Sequence, residues 1–432
     1  MTTVGLEQVW RECAPDVLAA LVRGYGDFDA AEDAMQEALL AAARQWPTDG
    51  LPENPKGWLI TVASRRLVDQ WRSERARAGR EQLVARRTPA EELLAPAADV
   101  AAVGERDDSL TLLLLCCHPA LTRPSQVALT LRAVAGLSTG QIARAFLVPE
   151  ATMAQRISRA KTRLQQVGAR FGVPAAEQMS DRVAAAAHVL YLVFTEGHAS
   201  TTGAGLYDVL LADEAIRLTR RLQECLPQSG EVAGLLSLML LTDARRAARV
   251  RRDGSLVPLA EQDRTLWDQP LIREGVCLVE RALPTGPVGP FQLQAAIAAV
   301  HAEASRAEDT DWAQIEALYR MLLDLAPSPV ITLNHAVAVA MVDGPTAGLD
   351  RLGPLLQDPQ MRRHHRLHAV RGHLLEMDGR VEEARVAYAV GAGLATSIPE
   401  QRYLNMKAAP RDPVRPAVPI PEHSRDQGPA QS

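Results

Sequence analysis

The stretch from Leu137 to Leu164 constrains the fold most. It reads as helix, tight turn, helix, with the second helix basic. Ser138 or Thr139 suits an N-cap, because a hydroxyl accepts a bond from an unpaired N–H of the first helical turn. Ile142, Ala143 and Phe146 form an apolar face, and Leu147-Val148 closes this helix. Pro149 suits the first turn of the next, where no N–H is needed. Ile157, Ala160 and Leu164 recur at helical spacing, which turns Thr152, Gln155, Arg156, Arg159 and Arg163 largely outward. Such a helix can enter a major groove, with Arg and Gln reading base edges and other cations, Lys161 among them, meeting phosphate. The plainer reading is a two-helix hairpin with a solvated basic face.

The rest of the chain offers material for helices and little else. Hydrophobic residues make up 47% and aromatics only 4%, so the cores must be built from Leu, Ala and Val. No sustained β-branched alternation occurs, and the fold class expected is all-α. The length of 432 residues favours two or three domains. The net charge of −5 does not suggest a DNA binder, but Arg clusters in the first 170 residues while acidic residues recur later. Cys13, Cys116, Cys117, Cys225 and Cys277 form no CxxC pair, which implies reduced thiols in a cytosol. Cys116-Cys117-His118 reads as core thiols rather than a zinc site, since adjacent helical cysteines point to different faces. Neither a signal peptide nor a bilayer-length apolar run is found, so the protein is expected in the cytoplasm with no membrane partner.

Residues 6–75 read as a compact helical unit. Within it Asp29, Asp33 and Glu37 fall at i, i+4 and i+8, lining one face of an acidic, Ala-rich helix. The default for such charges is a solvated face; the functional reading is docking onto a basic partner. Pro47 to Pro55 reads as loop. From Pro55 to Arg72, cations alternate with an apolar stripe and two tryptophans. Trp58 reads mostly as core. Trp71 lies among Arg65, Arg66, Arg72, Arg75 and Arg77, which suits stacking on unpaired bases beside phosphate contacts.

The segment from Thr152 to Leu164 resembles the recognition helix of region 4 of extracytoplasmic-function (ECF) sigma factors, the specificity subunits of bacterial RNA polymerase. The runs Leu110 to Leu115 and Val127 to Arg132 look like earlier helices of that domain. Trp58-Leu59, Ala63, Asp69 and Arg72 resemble region 2, although Arg65 stands where the family usually has Asn. The helix with Asp29, Asp33, Gln36 and Glu37 resembles region 2.2 and lacks the aromatic common after its Gln-Glu pair. The resemblance implies polymerase binding by Asp29, Asp33, Gln36 and Glu37. It implies promoter contact by Lys56, Trp58, Arg65, Arg66, Asp69, Trp71, Arg72 and Arg75 at the −10 region. At the −35 element it implies Ser138, Thr139, Gln141, Thr152, Gln155, Arg156, Arg159, Lys161 and Arg163. The partners implied are core RNA polymerase and promoter DNA. No catalytic residue, metal or cofactor is implied.

A plain two-domain sigma factor would end near Phe171, yet about 260 residues follow, more than one typical domain. Here Leu333-Asn334-His335-Ala336 leads to Asp343-Gly344, and Leu374-Leu375 leads to Asp378-Gly379, about one tetratricopeptide period of 34 residues apart. Stacked antiparallel helix pairs are expected, offering a surface for a protein partner or an intramolecular contact. The expected division is region 2 at 6–75, a linker at 76–107, region 4 at 108–172, a tetratricopeptide-like extension at 180–405 and a disordered tail at 409–432. Glu196 and His198 with His188, and His364, His365, His368 and His373, are the groups from which a metal-dependent enzyme would have to be argued. An operator-binding regulator acting without polymerase is the nearer alternative to a sigma factor.

Overall fold

The computed structural model describes residues 3–81, 108–146, 148–169, 171–198, 209–251, 255–284 and 286–410. Most of the expected linker and of the expected disordered tail lies outside them. Among the described residues the fold is all-α, and a lone bridge between Val250 and Leu256 is the extended pairing present. No described helix is long and apolar enough to cross a membrane. The chain divides into two compact units, Met1–Ser328 and Pro329–Ser432.

In the first unit, α1 (Thr3–Tyr25), α2 (Phe28–Asp49) and α3 (Pro55–Glu81) pack on one another. Asp27 caps α2 by accepting from the Ala30 N–H at 3.1 Å. The loop expected from Pro47 starts only at Gly50, because α2 continues through its last turn. Trp46 anchors that turn in the core, 2% exposed and edge-on to Trp58. Gly50, at φ 87°, then ends the helix while its N–H donates to the Trp46 carbonyl. Helix α3 runs past residue 75 to Glu81.

Four helices follow: α4 (Ser109–Cys116), α5 (Arg123–Ala133), α6 (Thr139–Ala145) and α7 (Glu150–Gln166). Next come α8 (Ala176–His198), α9 (Val209–Cys225), α10 (Gly230–Asp243), α11 (Gln269–Ala282), α12 (Pro290–Glu303) and α13 (Trp312–Leu325). One apolar core runs from α1 into α10 and includes Leu18, Leu59, Leu112, Leu129, Leu190 and Leu218. Helix α8 therefore packs on α4 and α5, and α9 on α4. Gly234 lets α10 meet α12 closely, since a Cβ there would lie 2.7 Å from the Gln292 nitrogen.

The second unit holds α14 (Pro329–Asp343), α15 (Pro345–Gln357), α16 (His365–Met377), α17 (Val381–Leu394) and α18 (Ile398–Ala408). Consecutive helices pack as neighbours. Gly344 and Gly379 turn the chain at φ 95° and 77°, where other residues are strained. The extension read as 180–405 is thus shared: its first part lies in the unit that holds both N-terminal modules.

Candidate nucleic-acid interface

Helices α6 and α7 form the expected helix-turn-helix. Ser138 is the cap: its hydroxyl accepts from the Gln141 N–H at 3.2 Å, and the Gln141 side chain accepts from the Ser138 N–H at 2.8 Å. Both side chains are engaged in this box, which fixes the start of α6. Pro149 precedes α7 as its N-cap residue. Met153, Ile157, Ala160 and Leu164 are buried, so Thr152, Gln155, Arg159 and Arg163 stand exposed and Arg156 half-buried. This outward face is polar and cationic, the chemistry that meets base edges and phosphates.

Helix α3 presents a second cationic face. Arg65, Arg66, Asp69 and Arg72 are exposed. Trp71 is half-buried, edge-on to Tyr25 at 5.5 Å, and Trp58 is half-buried against Trp46. The Arg75 side chain lies outside the described residues. Lys56 is held by Asp16 of α1 at 2.9 Å. Arg66 pairs with Glu37 at 3.5 Å where both are open to solvent, so this link is weak.

On α2, Asp33, Gln36 and Glu37 are exposed and Asp29 is half-exposed. Burial and the neighbouring carboxylates Glu32, Asp29 and Glu37 raise the Asp33 acid above its ordinary value, against the pull of Lys161. The residue that organises this face is Glu32, which the sequence reading passed over. It is 4% exposed. Arg132 of α5 donates from Nε to its Oε1 at 2.5 Å, and Lys161 of α7 pairs with its other oxygen. Lys161 also lies 2.8 Å from Asp29 and 5.6 Å from the centre of the Phe28 ring. Burial alone would push the Glu32 acid up, but the two cations hold it below its ordinary value. Burial likewise opposes the charge on Lys161, and Glu32 and Asp29 more than restore it. Removing one partner of such a buried pair costs about 3–5 kcal/mol while the site stays closed. Lys161, expected on the DNA face, therefore points at α2 in this arrangement.

The signal for Glu32 lay in its register. Phe28, Ala31, Met35 and Ala38 are the buried stripe of α2, and Glu32 sits four residues after Phe28. A carboxylate within an apolar stripe needs cations from another helix.

Among the described residues the histidines join no cluster of three or more groups placed to hold a metal ion. His198 stacks on Phe194 and faces Asp243 at 3.8 Å, whereas His188 is exposed beside Tyr191. In the second unit His364 stacks on His365, His365 meets Glu400 at 3.1 Å, and His368 meets the Arg362 carbonyl at 2.8 Å. Cys116 and Cys117 are core thiols; burial pushes Cys117 up to about 12, with Thr130 at 3.8 Å partly offsetting it.

Three family models match the chain. Sigma-70 region 2 covers residues 9–77, and sigma-70 region 4 covers 111–164. A family of unknown function (DUF6596) covers 182–283. An uncharacterised protein of Rhizobium meliloti (strain 1021) is 43% identical over 401 residues, spanning 91% of this chain and 92% of its own length. No solved structure matches. Two helical modules in this order, each matched to its sigma-70 region, decide the assignment: the chain belongs to the sigma-70 family as an ECF-like sigma factor with a C-terminal extension.

Proposed function

We propose that this protein binds core RNA polymerase in the cytoplasm and directs it to promoters, with α3 serving the −10 region and α7 the −35 element. The observation that carries the reading is the pair of cationic faces on separate modules, Arg65, Arg66 and Arg72 on one and Gln155, Arg159 and Arg163 on the other. The acidic face at Asp33, Gln36 and Glu37 is the docking surface for polymerase, which a plain operator binder would not need. No catalytic residue, metal or cofactor belongs to this role, because the polymerase supplies the chemistry. In vitro transcription with purified core enzyme on a library of genomic fragments tests it. Promoter-dependent initiation is expected. Duplex binding without initiation on any fragment would replace the sigma reading with an operator-binding one.

The extension acts on the sigma modules in cis in this reading. Its support is α9, which reaches α1 through Arg221 and Asp16 at 3.4 Å. Truncation after Gly172 would also strip α8 from the core that it shares with α4 and α5. The full-length Arg221→Glu variant is the cleaner test. A rise in promoter output marks restraint by the extension, and a fall marks a required scaffold. Unchanged output in the purified system and in cells removes the regulatory role.

A further inference from the structure

Region 4 and the extension meet at a cleft of about 230 Å³. Buried Leu114 and Leu115, at the end of α4, form its floor, with His118 just beyond them. Helix α8 supplies Gln178 and Arg182, and the connection between α7 and α8 closes one side with Pro174. We propose that this cleft binds a small organic monocarboxylate, with Arg182 as its counter-ion and the two leucines and Pro174 against its apolar body.

Arg182 is a fixed cation. Its Nη1 donates to the Leu114 carbonyl at 3.0 Å, which pins the guanidinium at the end of α4. That bond uses one N–H of a group that carries several. No carboxylate pairs with Arg182 among the described residues, and none of the described residues lining the cleft is acidic. Burial opposes the Arg182 charge, and the group that favours it is the Cys117 thiol, which burial keeps protonated. A half-buried cation without an anion is costly. A carboxylate in the cleft supplies the missing charge, through the two-pronged bond that suits a guanidinium.

The neighbours set the charge and size of the ligand. The Ala120 N–H donates to His118 Nδ1 at 3.1 Å. Burial and the Arg182 charge hold the His118 imidazole below its ordinary value, so the ring is neutral at pH 7 and carries its proton on Nε2. His118 Nε2 and the Gln178 amide therefore add neutral donors, and the described lining carries a single positive charge. A monoanion balances that charge, whereas a phosphate dianion leaves one unmatched. The cleft holds about eight waters at about 30 Å³ each. It is smaller than the about 300–1,000 Å³ of sites for drug-sized ligands, so the occupant is a short acid with a compact apolar body. Such a ligand touches α4 of region 4 and α8 of the extension at once.

The test uses the full-length chain, with butyrate, hexanoate and benzoate as probes. Each is titrated beside its neutral amide and beside inorganic phosphate, and saturation-transfer NMR reads the binding. At least one of the acids should bind with a Kd below about 5 mM, a weak affinity suited to so few atoms. Its amide and phosphate should each bind at least tenfold more weakly. Arg182→Gln should weaken the acid at least tenfold. Gln178→Glu sets a negative charge beside the bound carboxylate and should weaken it by a similar factor; residue 178 is exposed, so the fold tolerates the change. Failure of all three acids to bind below about 5 mM overturns the proposal. So does an amide or phosphate that binds as well as the acid, or a folded Arg182→Gln protein with wild-type affinity. If Arg182→Gln does not fold, Gln178→Glu decides, and unchanged affinity there overturns the site.

Discussion

Arg221 and Lys56 grip opposite oxygens of one carboxylate. Lys56 lies 2.9 Å from Asp16 Oδ2, and Arg221 lies 3.4 Å from Asp16 Oδ1. A residue expected on the −10 strand is thereby tied to the extension through α1. Asp16→Asn should release Lys56 for a phosphate. Affinity of the polymerase complex for promoter DNA should rise, and its slope against log salt should steepen by about 0.7–0.9. A slope identical to wild type would show that Lys56 does not meet DNA.

Arg156 and Arg163 should fail differently. Arg156 is half-buried on α7, while Arg163 is exposed in its last turn. Arg156→Ala should cost about 1–3 kcal/mol of binding and relax preference at one −35 position. Arg163→Ala should weaken all sequences alike and lower the salt slope by about one. Selection of binding sites from a randomised −35 pool separates the two, and uniform weakening by Arg156→Ala would remove its base-reading role.

Ser138→Ala should destabilise region 4 by about 1 kcal/mol, within about 0.5–2, because the Gln141 N–H loses its partner in the capping box. Thr139→Ala should change stability far less. Urea unfolding of both variants checks the contrast, and equal midpoints would assign the cap wrongly.

Acid should weaken the first unit before its carboxylates titrate. Burial holds His198 down to about 4, with Asp243 opposing the fall, and burial also holds His301 down to about 4. An unfolded imidazole takes its proton near 6.5. Between those values the unfolded state binds more protons, so stability drops as pH falls from 6.5 and the loss is complete below about 4. For His198 alone the loss by pH 4.5 is about 2–3 kcal/mol. Glu32, with its lowered pKa, contributes above the ordinary carboxylate range, and Lys161, with its raised one, contributes up to the ordinary lysine range. Neither titrates between pH 6.5 and 4.5. Urea midpoints measured across that window should fall in wild type and stay flatter in His198→Gln. A flat wild-type curve would contradict the burial of both imidazoles.

Local pattern made some features legible and hid others. The helix-turn-helix was readable because Ile157, Ala160 and Leu164 define a face on their own helix, and Ser138 with Gln141 spells a cap within four residues. The all-α fold followed from composition in the same way. The pairing of Lys161 with α2 was not legible, because periodicity says which side of α7 it borders, not which helix arrives there. It follows Ile157 by four residues, so it edges the buried stripe and reaches Glu32 about 130 positions earlier in the chain. Pro47 was read as a breaker, but the Trp46–Trp58 contact holds the helix through it. No sequence pattern near residue 180 announced that α8 and α9 would complete the core of α4 and α5.

That shared core bears on how the molecule comes apart. Leu112 and Leu129 of region 4 bury against the same interior as Leu190 and Leu218 of the extension. The helices contributing them should melt as one cooperative block and gain hydrogen-exchange protection together. A protease would then find no stable fragment ending between α7 and α8. In thermodynamic terms the boundary between region 4 and the extension is not a boundary at all: the extension's first helices belong to the same folding unit as region 4.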